Sequence, residues 1–261
     1  MLPCGVRTFL SRPCGSDHLP DRNLADFPPD PKLKIAARLH RSISFLPARF
    51  FPGIVPPMEI ETFPALQLAG LRHGFSTRSA GPLEKLDDDL NAAFTAAGFP
   101  MVDAVHAEQP HGHRAQAVYT PLGIRVPDVD ALATSVPGLP LVVRVADCGP
   151  VYFYDPVQQV IALAHSGRKG TEGNIVHATM ACLRDTYATD PENVIVQLGP
   201  CIRPPHYEVD FAAEIERQAR ACGVRHYHDC GKCTASHLDR YYSYRAEKGK
   251  TGRMWAVFMI L

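Results

Sequence analysis

LVVRVADCGPVYFYDPVQQVIALAHSGRKG, residues 141–170, holds two apolar runs rich in β-branched residues, 141–145 and 160–164. Each leads to a side chain able to ligate a metal: Cys148 lies just past the first run and His165 ends the second. Short apolar runs bounded by turn residues read as buried strands. Polar side chains at such strand ends are delivered to one edge of a sheet and held there by backbone hydrogen bonds on either side. After His165 the sequence Ser166-Gly167-Arg168-Lys169-Gly170 reads as a flexible basic loop that leads into a helix. Backbone amides and cations in that position suit an anionic group on a substrate.

Working outward, strands are expected at 59–63, 73–78, 104–108, 115–119, 130–134, 194–198 and 254–261, the last apolar nearly throughout and therefore inside a sheet. Helices are expected at 88–98, acidic at its start and closed by Gly98 and Pro100, and at 171–187, where Ile175, Val176, Met180, Leu183 and Tyr187 recur at helical spacing. A third, 211–221, is closed by Gly223. The alternation of strands and helices, without repeats, predicts a single compact α/β domain over 58–261, of α+β type, with mixed sheets flanked by helices.

Residues 1–57 differ in character. They hold ten of the 24 prolines and no sustained periodicity apart from a helix-like scrap at 32–41. Eight basic residues against four acidic give this stretch a charge of +4 within a chain of zero net charge. It reads as disordered or as an extension upstream of a true translation start at Met58, with Cys4 and Cys14 incidental. Zero net charge removes the general electrostatic argument for nucleic acid or an anionic membrane surface as partner. No apolar run is long enough to span a membrane and no signal-peptide pattern follows the first charges, so a cytoplasmic location is the expectation. Eight irregularly spaced cysteines in a chain of this size suggest free thiols and metal ligands rather than a disulfide framework.

The chemistry-bearing set is His111, Cys148 and His165. Two imidazoles and a thiolate suit Zn²⁺, and three protein ligands leave a fourth position for water or substrate. Asp147 beside the thiolate could orient a ligand or carry a proton. Without a metal, a thiolate between two histidines could instead act as a nucleophile. A second set, His226, His228, Cys230, Cys233 and His237, contains one CxxC and could close a structural zinc site. Copper oxidase chemistry would want many His-x-His pairs; the chain has two, His111/His113 and His226/His228, and thiolate ligation points to zinc.

HGFSTR at 73–78, PHG at 110–112, DALAT at 130–134, ADCGPV at 146–151, AHSGRKG at 164–170, LGPCI at 198–202, YEVD at 207–210, CT at 233–234, YSYR at 242–245 and TGR at 251–253 follow one another in the order seen in YfiH-like proteins. The chain resembles that family, labelled multicopper polyphenol oxidase or laccase-domain protein and described as zinc-dependent purine nucleoside phosphorylases, over essentially 58–261. The resemblance implies the YfiH-like fold, one zinc held by His111, Cys148 and His165, and phosphorolysis of adenosine, inosine, guanosine or methylthioadenosine. Adenosine deaminase activity is implied as well. Where the family usually has HAGWRG this chain has HSGRKG, so Arg168 replaces an aromatic side chain, and the segments before PHG and before CT are shortened. His73, Ser76, Arg78, Arg168 and Lys169 are expected to bind substrate, with Arg78 or Arg168 on phosphate and Arg78, Asp147 and Cys148 in catalysis. Tyr244, Arg245 and Arg253 are expected to fix loops. A peptidoglycan-precursor amide hydrolase and a non-catalytic zinc-binding module are the alternatives on the same scaffold.

Overall fold

The computed structural model describes residues 58–120 and 123–261. The expectations for 1–57, including the helix at 32–41, Cys4, Cys14 and a start at Met58, lie outside the described residues. In chain order the strands are β1 (Ile60–Glu61), β2 (Leu71–Ser76), β3 (Val105–Ala107), β4 (Ala115–Ala117), β5 (Arg125–Val126), β6 (Ala131–Thr134), β7 (Leu141–Val145), β8 (Gly149–Asp155), β9 (Val160–Ser166), β10 (Ile195–Leu198), β11 (His226–Asp229) and β12 (Met254–Ile260). The helices are α1 (Leu86–Ala96), α2 (Arg168–Glu172), α3 (Ile175–Tyr187) and α4 (Phe211–Ala221).

The strands form two mixed six-stranded sheets, ordered β1-β2-β12-β7-β3-β5 and β11-β10-β8-β9-β6-β4. Alternation along β8 and β9 shows how they stack. Tyr152, Tyr154, Ile161 and Leu163 join the core that contains Leu141, Val143 and Phe258 of the first sheet. Val151, Phe153, Val160, Ala162 and Ala164 join the core built with α3 and α4. Helix α1 covers the outer face of the first sheet, where Phe94 stacks on Trp255 with ring centroids 6.5 Å apart. The molecule is thus layered as α1, sheet, sheet, and the α3–α4 pair.

The expected mixed α/β fold is present, and α4 and β7 occupy the expected ranges. Three expectations are corrected. The ligand-bearing strands β7 and β9 are not neighbours along one sheet edge; they belong to facing sheets. The segment between them, for which no strand is expected above, is the buried strand β8, paired with β9 from Gly149 opposite Ser166 to Asp155 opposite Val160. The single helix expected at 171–187 is divided: α2 ends at Gly173, and Asn174, left-handed at φ 60, starts α3 by accepting a hydrogen bond from the His177 amide at 3.1 Å. The basic loop after His165 is therefore the short helix α2.

One topological feature positions the site. Strands β3, β5 and β7 run parallel to one another, as do β4, β6 and β8. The chain crosses from the first sheet to the second at the same end three times, from β3 to β4, β5 to β6 and β7 to β8. Those crossings carry His111, Asp130 and Cys148 respectively.

His73 on β2 is buried with its Nε2 accepting the Phe63 amide proton at 2.7 Å. Burial lowers its pKa to about 4. The unfolded chain, with histidine near its ordinary value of about 6.5, binds more protons between the two values, so stability present at pH 7 is lost as pH falls from 6.5 towards 4. Urea midpoints across this window are expected to fall, His73 contributing on the order of 2 kcal/mol. In His73→Gln, whose amide oxygen can still accept from Phe63, the fall should be correspondingly smaller.

Candidate metal centre and adjoining cavity

The three crossings and the end of β9 bring together the nitrogen, sulfur and nitrogen donors of His111, Cys148 and His165, all within 4.8 Å of one another. Among the described residues this is the one cluster of at least three such groups with metal-binding spacing. Its geometry is fixed by Asp130, fully buried at the start of β6. Asp130 Oδ1 lies 2.8 Å from His165 Nδ1 and accepts the His111 amide proton at 3.1 Å, while Oδ2 accepts from Gly112 N at 2.7 Å. A carboxylate on Nδ1 holds that nitrogen protonated and leaves Nε2 free to ligate. The same carboxylate therefore orients one ligand ring and the backbone that carries another.

Gln109 adds a second clamp. Its amide donates to Arg144 O at 2.7 Å and accepts from Arg144 N at 2.8 Å, imitating a strand partner and tying the His111 crossing to β7. Gln109 and His111, both at φ 65, and Asp147, at φ 83, occupy left-handed backbone space. Such conformations cost about 1–3 kcal/mol each and persist where surrounding bonds over-determine them. The glycines of the HSGRKG stretch serve close approach: a Cβ on Gly167 would lie 2.8 Å from Cys148 Sγ, and one on Gly170 would lie 2.7 Å from Gly112 O. Helix α2 can reach the ligands only because both positions lack a side chain.

Burial alone would raise the Cys148 thiol, but the adjacent His165 and His111 rings outweigh it and bring it down to about 6. Burial likewise disfavours a charged His165, yet the Cys148 thiolate and Asp130 raise it to about 9. The metal-free site thus holds a thiolate beside an imidazolium near neutral pH, and its donors fit a soft or borderline divalent cation.

The centre faces a cavity of about 1130 Å³ whose lining includes Leu86, Arg144, Ile202, Tyr207, Phe211 and Tyr244. Arg168, Arg245, Lys248 and Arg253 also face it. Arg168 reaches the cavity as expected, but pairs with Glu172 at 3.0 Å and Glu208 at 3.2 Å. Lys169 is exposed on α2 and outside the lining. His73, Ser76 and Arg78 are not brought to the cavity. His73 is bonded to Phe63, Ser76 Oγ accepts from Trp255 N at 2.9 Å, and Arg78 donates to Leu238 O at 2.8 Å, pairs with Glu247 and lies over the Tyr242 ring. Asp147 lines the cavity, with its carboxylate taken by Thr234 Oγ1 and Arg245 N, each at 2.7 Å.

The second cysteine–histidine set is dispersed: His226 and His228 lie exposed on β11, and Cys233 bridges to Cys201 in a parallel backbone pairing. No second metal-spaced group occurs among the described residues.

Residues 77–218 and 208–261 match the family described as multi-copper polyphenol oxidoreductase laccase. The chain belongs to this family. A Deinococcus radiodurans protein named purine nucleoside phosphorylase is 34% identical over 227 residues, covering 71% of this chain and 87% of that protein. A Streptomyces coelicolor protein of the same name is 31% identical over 229 residues, covering 71% and 93%. The crystal structure of YlmD from Geobacillus stearothermophilus superimposes with a TM-score of 0.68 at 24% identity, over 76% of this chain and 94% of that one. The YfiH-like fold implied by the sequence motifs is thereby present.

Asp130 and Gln109 were given no role by sequence alone. Both stand in legible places, Asp130 heading an apolar run and Gln109 just before PHG, but their partners lie on other strands.

Two outcomes follow for a chelator-competition titration of metal affinity. Asp130→Asn, which sets an amide N–H against one of the donors now facing a carboxylate, should weaken binding by about 10- to 100-fold with the far-UV spectrum unchanged. In the wild type, cation binding between about pH 6 and 9 displaces the proton on His165, so affinity should fall about tenfold per pH unit as pH drops. The slope should steepen below about 6, where the thiol is protonated too, and flatten above about 9.

Proposed function

We propose that the chain is a zinc-dependent purine nucleoside phosphorylase. The observation that carries this reading is the His111–Cys148–His165 set opening on a large cavity lined by both aromatic and arginine side chains. Relatives named purine nucleoside phosphorylase support it. The substrates are a purine nucleoside and inorganic phosphate, and the products are the free purine and ribose 1-phosphate.

His111, Cys148 and His165 would hold a zinc ion, which would supply a Lewis-acidic centre. The chain's own groups do the rest. Asp130 and Gln109 keep the donors at fixed positions. Tyr207 and Phe211, with ring centroids 5.0 Å apart, and Tyr244 offer flat apolar surface for a purine. Cationic side chains at the cavity wall hold the phosphate for attack on the anomeric carbon as the base departs. A wall built this way offers both reactants a place in one cavity, which is what a two-substrate displacement requires.

The test is purine release from adenosine, inosine, guanosine and methylthioadenosine, with and without phosphate, on protein of assayed zinc content. Phosphate-dependent release with about one zinc per chain is expected, and Cys148→Ala should lose both. The fate of adenosine separates two chemistries, adenine marking phosphorolysis and inosine marking deamination. Turnover retained in metal-free Cys148→Ala would overturn the zinc assignment.

A further inference from the structure

The cations first expected to hold phosphate are engaged elsewhere: Arg78 with Glu247 outside the cavity, and Arg168 with Glu172 and Glu208. Arg245 is likewise paired with Glu208, at 2.9 Å. Among the described residues only two arginines have a guanidinium without any hydrogen-bond acceptor, Arg125 and Arg144. Sheet register places both on the same face. Arg144 on β7 is the direct cross-strand partner of Trp255 on β12. His106 on β3 is opposite Val142, two residues from Arg144, and Arg125 on β5 is opposite His106. Paired residues and residues two apart share a face, so Arg125, His106, Arg144 and Trp255 form one row across four strands.

We propose that Arg144, flanked by Arg253 and Arg125, is the subsite that binds the phosphate co-substrate, an assignment that rests on the phosphorylase reading. Arg144 is half-buried and lines both the metal cavity and a smaller adjoining one of about 230 Å³, whose walls include Asp87, His106, Arg125 and Trp255. Burial lowers its pKa, and the Arg125 and Arg253 charges lower it further, while Asp87 alone pulls the other way. Asp87 makes no ion pair with it within 4.0 Å. Arg253, on the metal-cavity side, donates to the carbonyls of Thr251 and Gly252 and has no carboxylate partner. A half-buried guanidinium beside two other cations is stabilised by a dianion that accepts its fork in bidentate fashion. Gln109 adds the register: by holding the backbone of Arg144 on both sides it fixes this guanidinium's strand to the crossing that carries His111.

Trp255 is the only tryptophan of the chain and the cross-strand neighbour of Arg144, so its fluorescence reports on the subsite. Inorganic phosphate is titrated into the zinc-loaded full chain, followed by fluorescence and by isothermal calorimetry, for wild type, Arg144→Gln, Arg144→Lys and the exposed control Arg184→Gln. Saturable binding is expected in wild type and in the control. Arg144→Gln should bind at least about tenfold more weakly, and Arg144→Lys, which keeps the charge but not the fork, should fall between. In turnover, the KM for phosphate should rise by a similar factor in Arg144→Gln, with the KM for nucleoside and the zinc content held. Wild-type phosphate affinity in both Arg144 variants overturns the assignment, as does the absence of saturable calorimetric binding in wild type. Arg144-dependent phosphate binding without purine release from any nucleoside would confirm the subsite while removing the phosphorylase reading.

Discussion

The buried carboxylate of Asp130 is the contact on which the site depends. It takes an imidazole N–H and two backbone N–H groups from two separate segments, so three groups around the candidate metal centre are registered to one fully enclosed charge. A buried ion is expensive unless its lone pairs are met. Here three donors meet them, and removing any one would leave a desolvated charge short of a partner. The arrangement therefore resists partial loosening: either all three segments are in place or the carboxylate is poorly satisfied.

That contact exists because of the triple crossing between sheets. Three parallel strands of one sheet turn into three parallel strands of the other at one end, so three short segments that are distant in sequence run side by side. Each crossing is too short to relax into regular structure, and the residues at φ 65, 65 and 83 sit there. The strain is met locally by bonds to Gln109, Asp130 and Asp147 side chains. The cavity adjoins this same end, and His111, Cys148 and His165 lie at its wall.

Much of the local structure is legible in the residue pattern. Strands such as β7, β10 and β12, and helix α4, announce themselves because apolar periodicity and caps act within a few residues. The grouping of His111, Cys148 and His165 was expected as well, Cys148 and His165 from their place at the ends of apolar runs, whereas His111, in a loop, carries no such local mark. Sheet membership was not: a run of Val and Leu reads the same in either sheet, so the assignment of β7 and β9 to facing sheets had no local mark. Strand β8 was hidden by Gly149-Pro150, which signals a turn although Pro150 sits where the strand begins and its carbonyl accepts from Gly199. The contacts of Asp130 and Gln109 are made with partners 18 to 35 residues away, beyond the reach of any periodicity. Conversely, His73, Ser76 and Arg78 carry functional-looking side chains whose polar atoms are spent on Phe63, Trp255, Leu238 and Glu247.

Charge pairing divides the cavity into a firm end and a soft end. At the metal end the charged contacts are buried, with His165 and Asp130 almost wholly enclosed. At the mouth, Glu208 is shared between Arg168 and Arg245, all three side chains being 51–56% exposed. Exposed pairs of that kind contribute about 0–1 kcal/mol each, so they steer α2 and the segment carrying Arg245 without locking them. The Arg168 that stands where relatives of this sequence pattern carry an aromatic residue belongs to this soft end, held by carboxylates rather than by the metal centre. A change of side chain there alters the entrance while the buried carboxylate, the paired glutamine and the three donors keep their geometry.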